Sequence, residues 1–105
     1  MQSRGQTMSD LEYLLQLLPA PLVASLAGVQ DVGLICGNRE ALDLVKFAAS
    51  IARKIEAAES ATVAASWLTT ANSVLDFDLP VKAVREGSFY EVENAASAFV
   101  SGYAD

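Results

Sequence analysis

The chain contains no histidine. That absence removes the most used general base near neutral pH, the commonest metal ligand and the partner of Ser-His and Cys-His nucleophiles. There is one cysteine, Cys36, so neither an internal disulfide nor a structural zinc site can form from this chain alone. Glycine is sparse, and Gly28, Gly33 and Gly37 lack the spacing of a phosphate-cradling loop. Basic residues are few: seven Lys and Arg against thirteen Asp and Glu give a net charge of −6. Only Arg53 and Lys54 are adjacent. Nucleic acids and anionic membranes both require a basic patch, so neither is an expected partner.

Long hydrophobic runs are missing too. The longest uncharged stretch, Tyr13 to Gln30, is broken by Gln16, Pro19, Pro21 and Ser25, which favours two short helices over a membrane span. The opening residues MQSRGQTMSD lack the apolar segment of a secretory signal. The expected location is the cytoplasm.

What is present is a strongly apolar composition, 52% hydrophobic and 19% charged, which argues against disorder. A chain of 105 residues makes one domain and buries roughly 65% of its unfolded surface. Residues 1–8 are polar and read as a flexible N-terminal tail, leaving residues 9–105 as a single helical domain.

Apolar residues recur at the helical period through most of that domain. Ser9 and Glu12 fit a capping box that opens a helix carrying Leu11, Leu14, Leu15 and Leu18 on one face, ended by Pro19. A second short helix, Leu22 to Ala27, stops at Gly28. From Asn38, a good cap, to Ala58 the pattern is clearest. Ala41, Leu44, Val45, Phe47, Ala48, Ile51, Ala52, Ile55 and Ala58 fill one arc, and Asp43, Lys46, Ser50, Arg53, Lys54 and Ala57 fill the other. This predicts the longest helix, over about residues 38–58. A short helix, Leu79 to Glu86, has Pro80 in its first turn and is ended by Gly87. Ser88 and Glu91 suggest a second capping box opening Phe89 to Ser101, with Gly102 as terminator.

The expected fold is therefore all-α, a compact bundle of about five to six helices. The competing reading is α+β, with short strands near Val32–Cys36, Val63–Thr69 and Pro80–Val84, where β-branched residues cluster. Asp31 to Gly37 reads as a connector in preference to a strand, and Cys36, in an apolar run, as an inert buried thiol.

The segment Ser60 to Leu75 reads as an amphipathic helix whose polar face is uncharged. Ala61, Ala64, Ala65, Trp67, Leu68, Ala71, Val74 and Leu75 collect on one side at about 100° per residue. Thr62, Ser66, Thr69, Thr70 and Ser73 collect on the other. Water-facing helices normally carry Lys, Glu or Arg there, so these five are the candidate protein interface. Trp67 reads as core. Asn72 falls within the apolar face, where it either bonds to a neighbouring helix and fixes packing register or reaches solvent near the helix end.

The acidic pairs have ordinary structural roles. Asp76 and Asp78 flank Phe77 in a turn, and Glu91 and Glu93 lie near a helix start where the macrodipole favours acids. No catalytic, cofactor-binding or metal-binding residues are assigned, no cofactor is expected, and the chain does not read as an enzyme. The expected function is a non-enzymatic protein–protein interaction domain, an acidic helical regulator, inhibitor or adaptor that binds a protein partner. The alternative is a structural subunit of a homo-oligomeric or helical assembly, which alanine-rich, charge-poor helices would suit.

Overall fold

The central helix determines the arrangement of all the others. In the computed structural model, which describes residues 9–102, six α-helices follow one another: α1 (Asp10–Leu17), α2 (Ala20–Leu26), α3 (Arg39–Ala58), α4 (Ala61–Leu68), α5 (Pro80–Arg85) and α6 (Phe89–Val100). Every other helix packs against α3. The tail read as flexible, residues 1–8, lies outside the described residues, as do residues 103–105.

Alanine makes this crowding feasible. Ala41, Ala48, Ala49 and Ala52 of α3 are fully buried, and their small side chains let neighbouring backbones approach closely. Between them Val45, Ile51 and Ile55 supply the apolar bulk, each essentially inaccessible to solvent. Ala49, which lies outside the arc read from the sequence, is buried because α3 is covered on more than one side. The helix begins where Asn38 Oδ1 accepts a hydrogen bond from the Ala41 N–H at 3.0 Å. After Glu59, Ser60 caps α4 by accepting from the Val63 N–H at 3.1 Å, and α4 returns along α3.

The polar arc of α3 is more than a solvated face. Arg53 donates to Asp10 of α1 at 2.6 Å and lies 4.3 Å over the ring of Tyr13. The Tyr13 hydroxyl in turn donates to Glu56. Burial first, and then the Glu56 carboxylate as acceptor and neighbouring charge, raise the Tyr13 phenol above its ordinary pKa of 10.0, with Arg53 opposing. On the other flank Lys54 donates to Glu93 at 2.7 Å and to Ser97 at 3.1 Å, both on α6. Stacked Phe47 and Phe89 rings, 4.3 Å between centroids, join the same pair of helices.

Most helix ends follow the sequence signals; the starts and stops at Ser9, Gly28, Gly87 and Gly102 do, and the Ser88–Glu91 box does not. The Ser9–Glu12 capping box forms in both directions. Gly28, Gly87 and Gly102 take φ of +78°, +82° and +83°, the left-handed conformation that ends helices. The second capping box, Ser88–Glu91, does not form. The Ser88 N–H is already committed to the Ala83 carbonyl at 3.0 Å, and the Gly87 N–H to Val84 at 2.9 Å. This Schellman closure of α5 takes the donor that Glu91 would need.

No sheet is present among the described residues. The three segments considered as strands are a 3-10 turn at Val32–Leu34, helix α4 and helix α5. Asp31 to Gly37 is a connector, as expected, but Cys36 is exposed, which corrects the buried-thiol reading. The 3-10 winding points Ile35 into the core, and the next residue is carried about a third of a turn away, toward water. No helix among the described residues is long and apolar enough to cross a membrane.

Candidate functional site

The Ser60–Leu75 helix read from the sequence stops early. Helix α4 ends at Leu68, and the chain then passes through a turn into a 3-10 segment at Ser73–Leu75. Two hydroxyl residues explain the stop. Thr69 Oγ1 donates to the Ala65 carbonyl at 2.9 Å, and Thr70 Oγ1 donates to the Ser66 carbonyl at 2.7 Å. Threonine has low helix propensity, and here its hydroxyl satisfies the last carbonyls of the helix.

Thr62, Ser66, Thr69, Thr70 and Ser73 are all exposed, but they do not form one helix face. Thr62 and Ser66 sit on α4, Thr69 and Thr70 form its end, and Ser73 opens the 3-10 turn. The apolar side is split as well. Ala64, Trp67, Leu68 and Leu75 are buried, whereas Val74 is 54% exposed. Trp67 is a core residue tilted against Phe99 at 6.3 Å; its Nε1 has no hydrogen-bond partner among the described residues. Asn72, half-buried, neither bonds to another helix nor merely reaches solvent. Its Oδ1 accepts from the Val74 N–H at 2.8 Å, and its N–H donates to the Asp78 carbonyl at 3.1 Å.

That bridge closes a loop over residues 72–78, with the Phe77 N–H donating back to the Asn72 carbonyl at 2.8 Å. Two consecutive non-glycine residues at its tip adopt positive φ: Asp76 at 58° and Phe77 at 67°. Such backbone disfavours a bulky side chain by about 1–2 kcal/mol. The Phe77 side chain gains little burial in return, since the residue is 72% exposed. A large apolar group held in an unfavourable backbone conformation and left in water is a feature that packing within the domain does not explain. Reading Asp76 and Asp78 as turn residues located this loop but overlooked the phenylalanine between them. Its signal is an aromatic residue set directly between two aspartates, Asp76 and Asp78.

Beside this loop lies a cleft of about 220 Å³. Buried Leu75 and Ala83 form its apolar floor, and Asp76, Asp78, Glu86 and Glu91 stand around it. Lys82 bridges two of these acids, 3.4 Å from Asp78 and 3.1 Å from Glu86. The hydrogen bond to Glu86 and then the charge of Asp78 hold its amine protonated above the ordinary lysine range. Asp76 and Glu91 have no ion-pair partner among the described residues. Glu91, free of the capping role expected for it, faces this cleft instead.

A larger cleft of about 550 Å³ runs between α2 and α5, lined by Leu22, Leu26, Leu79 and Val81 with Lys82, Arg85 and Glu86 at its edge. Among the described residues no buried polar side chain converges on it. Among the described residues no group of three or more Asp, Glu, Cys or His is placed to hold a metal ion. Comparison with protein families, with curated proteins and with solved structures gave no match.

Proposed function

We propose that this small helical domain is a non-enzymatic, cytoplasmic protein-interaction module, an acidic regulator, inhibitor or adaptor that binds another protein. The observation that carries this reading is Phe77, 72% exposed at a positive φ. Exposed aromatic side chains are enriched at protein interfaces, where they act as anchors. The contact surface extends along the uncharged residues that precede it: Thr62, Ser66, Thr69, Thr70, Ser73 and Val74. An exposed thiol with no partner in the chain suits a reducing compartment, and the excess of acidic residues disfavours nucleic acid.

The test compares the wild-type chain with Phe77→Ser in affinity capture from the host's soluble fraction, alongside light scattering over a range of concentrations. Capture of a defined protein by the wild type, lost in Phe77→Ser with the circular dichroism spectrum unchanged, is expected. Equal capture by both chains, or none by either, overturns the reading. Large or concentration-driven homo-oligomers would favour the alternative, a structural subunit of an assembly.

A further inference from the structure

We infer that the cleft beside Phe77 receives a lysine or arginine side chain from a basic, amphipathic segment of a partner protein, with Phe77 packing on an apolar residue of the same segment. This inference rests on the interaction reading above and names the chemistry of the partner. At about 220 Å³, the cleft falls below the roughly 300–1,000 Å³ typical of small-molecule pockets, so it suits one side chain better than a cofactor. Its composition matches a long cationic side chain in two parts. The apolar floor of Leu75 and Ala83 takes the methylene stem, and the rim carboxylates take the charged head. Lys82 satisfies only Asp78 and Glu86, which leaves Asp76 and Glu91 as the acceptors for an incoming cation.

Phe77 lies in sequence between two rim residues, and Val74, 54% exposed, belongs to the cleft wall. Apolar and acidic groups are thus interleaved over a few residues, and the complementary surface alternates apolar and basic groups. A second copy of this chain is a poor occupant, because each copy carries the same net charge of −6 and like charges oppose approach.

The probe is a fluorescein-labelled peptide of lysine, leucine and serine, with two control peptides in which glutamate replaces lysine or serine replaces leucine. Anisotropy titration of the full chain should give a Kd on the order of 100 μM or tighter for the lysine–leucine peptide. Amide resonances of Leu75, Asp76 and Glu91 should shift on binding. Both controls should bind at least about tenfold more weakly. So should the lysine–leucine peptide to the double variant Asp76→Asn, Glu91→Gln, which removes two charges while asparagine keeps the left-handed backbone accessible. Undiminished binding to that variant, equal binding of the glutamate peptide, or no binding at about 1 mM peptide each overturns the inference. So does a homodimer that the same two substitutions dissolve, because the occupant is then a second copy. If the peptide fails while Phe77→Ser still abolishes partner capture, the interaction reading stands and only the partner's chemistry is wrong.

Discussion

Helix α3 and the connector between α4 and α5 treat apolar side chains in opposite ways. Along α3, Val45, Ile51 and Ile55 are sealed beneath five other helices, and Arg53, Glu56 and Lys54 reach across to α1 and α6. Along residues 69–79, Val74 and Phe77 stand in solvent, backbone at the tip is left-handed, and the hydrogen bonds are local. The helix satisfies folding at each of its levels, from propensity to packing. The connector fails that consistency at one point, and such departures concentrate at functional or strained positions. On the proposed reading, the difference separates what keeps the domain folded from what it offers to a partner.

Substitution should break this contrast most visibly in the core. Ile55→Ala is expected to cost about 2–5 kcal/mol in denaturant unfolding, because a fully buried site collapses only partly around the lost methyl groups. A loss well below that range would show that α3 is less enclosed than its neighbours suggest.

At the join between α1 and α3, Tyr13→Phe should cost about 1 kcal/mol through the lost hydrogen bond to Glu56, and its pH dependence sharpens the test. The folded phenol has a raised pKa, so its contribution is complete below pH 10.0 and is lost as pH rises from there toward the folded value. Alkaline destabilisation should therefore be shallower in Tyr13→Phe than in the wild type. Between about pH 6 and 8 stability should be nearly flat, since no histidine is present to titrate.

In the connector the sign should reverse. Phe77→Gly relieves a left-handed residue and gives up little burial, so after the entropy cost of glycine it should be neutral or stabilise by up to about 1 kcal/mol. A clear destabilisation in thermal unfolding would mean that Phe77 belongs to the domain's own packing. The smallest effect is expected on the outer side of α4. Thr62→Lys with Ser66→Lys should change stability by less than about 0.5 kcal/mol while weakening partner capture. Thr69 and Thr70 are spared in this design because their hydroxyls hold the end of the helix.

The sequence was informative wherever structure is set by near neighbours. The period of α3, the cap at Asn38, the Ser9–Glu12 box and the glycine stops all depend on residues within a turn or so, and all are found as expected. It was uninformative where a donor or a face is claimed from elsewhere. Glu91 loses its part in the capping box because the Ser88 N–H it would accept from closes the preceding helix, and Arg53 and Lys54 find partners on α1 and α6 that no periodicity reveals. The early end of α4 was half legible: threonine's low helix propensity was visible, while the bonds of its hydroxyls to the helix carbonyls were not. At the candidate site, the acids of the turn were seen and Phe77 was missed, since left-handed backbone at a phenylalanine has no compositional marker comparable to glycine.

Contact of every helix with α3 also governs how the molecule comes apart. A bundle in which each helix leans on one shared neighbour has no separable half, so the six helices are expected to open as one unit. Amide protons of α3 should exchange with solvent only through global unfolding, whereas those of residues 73–78 should exchange through local openings that leave the bundle closed. A partner that reshaped that loop could do so without loosening the rest, because the loop and the bundle would respond to stress on separate scales of free energy.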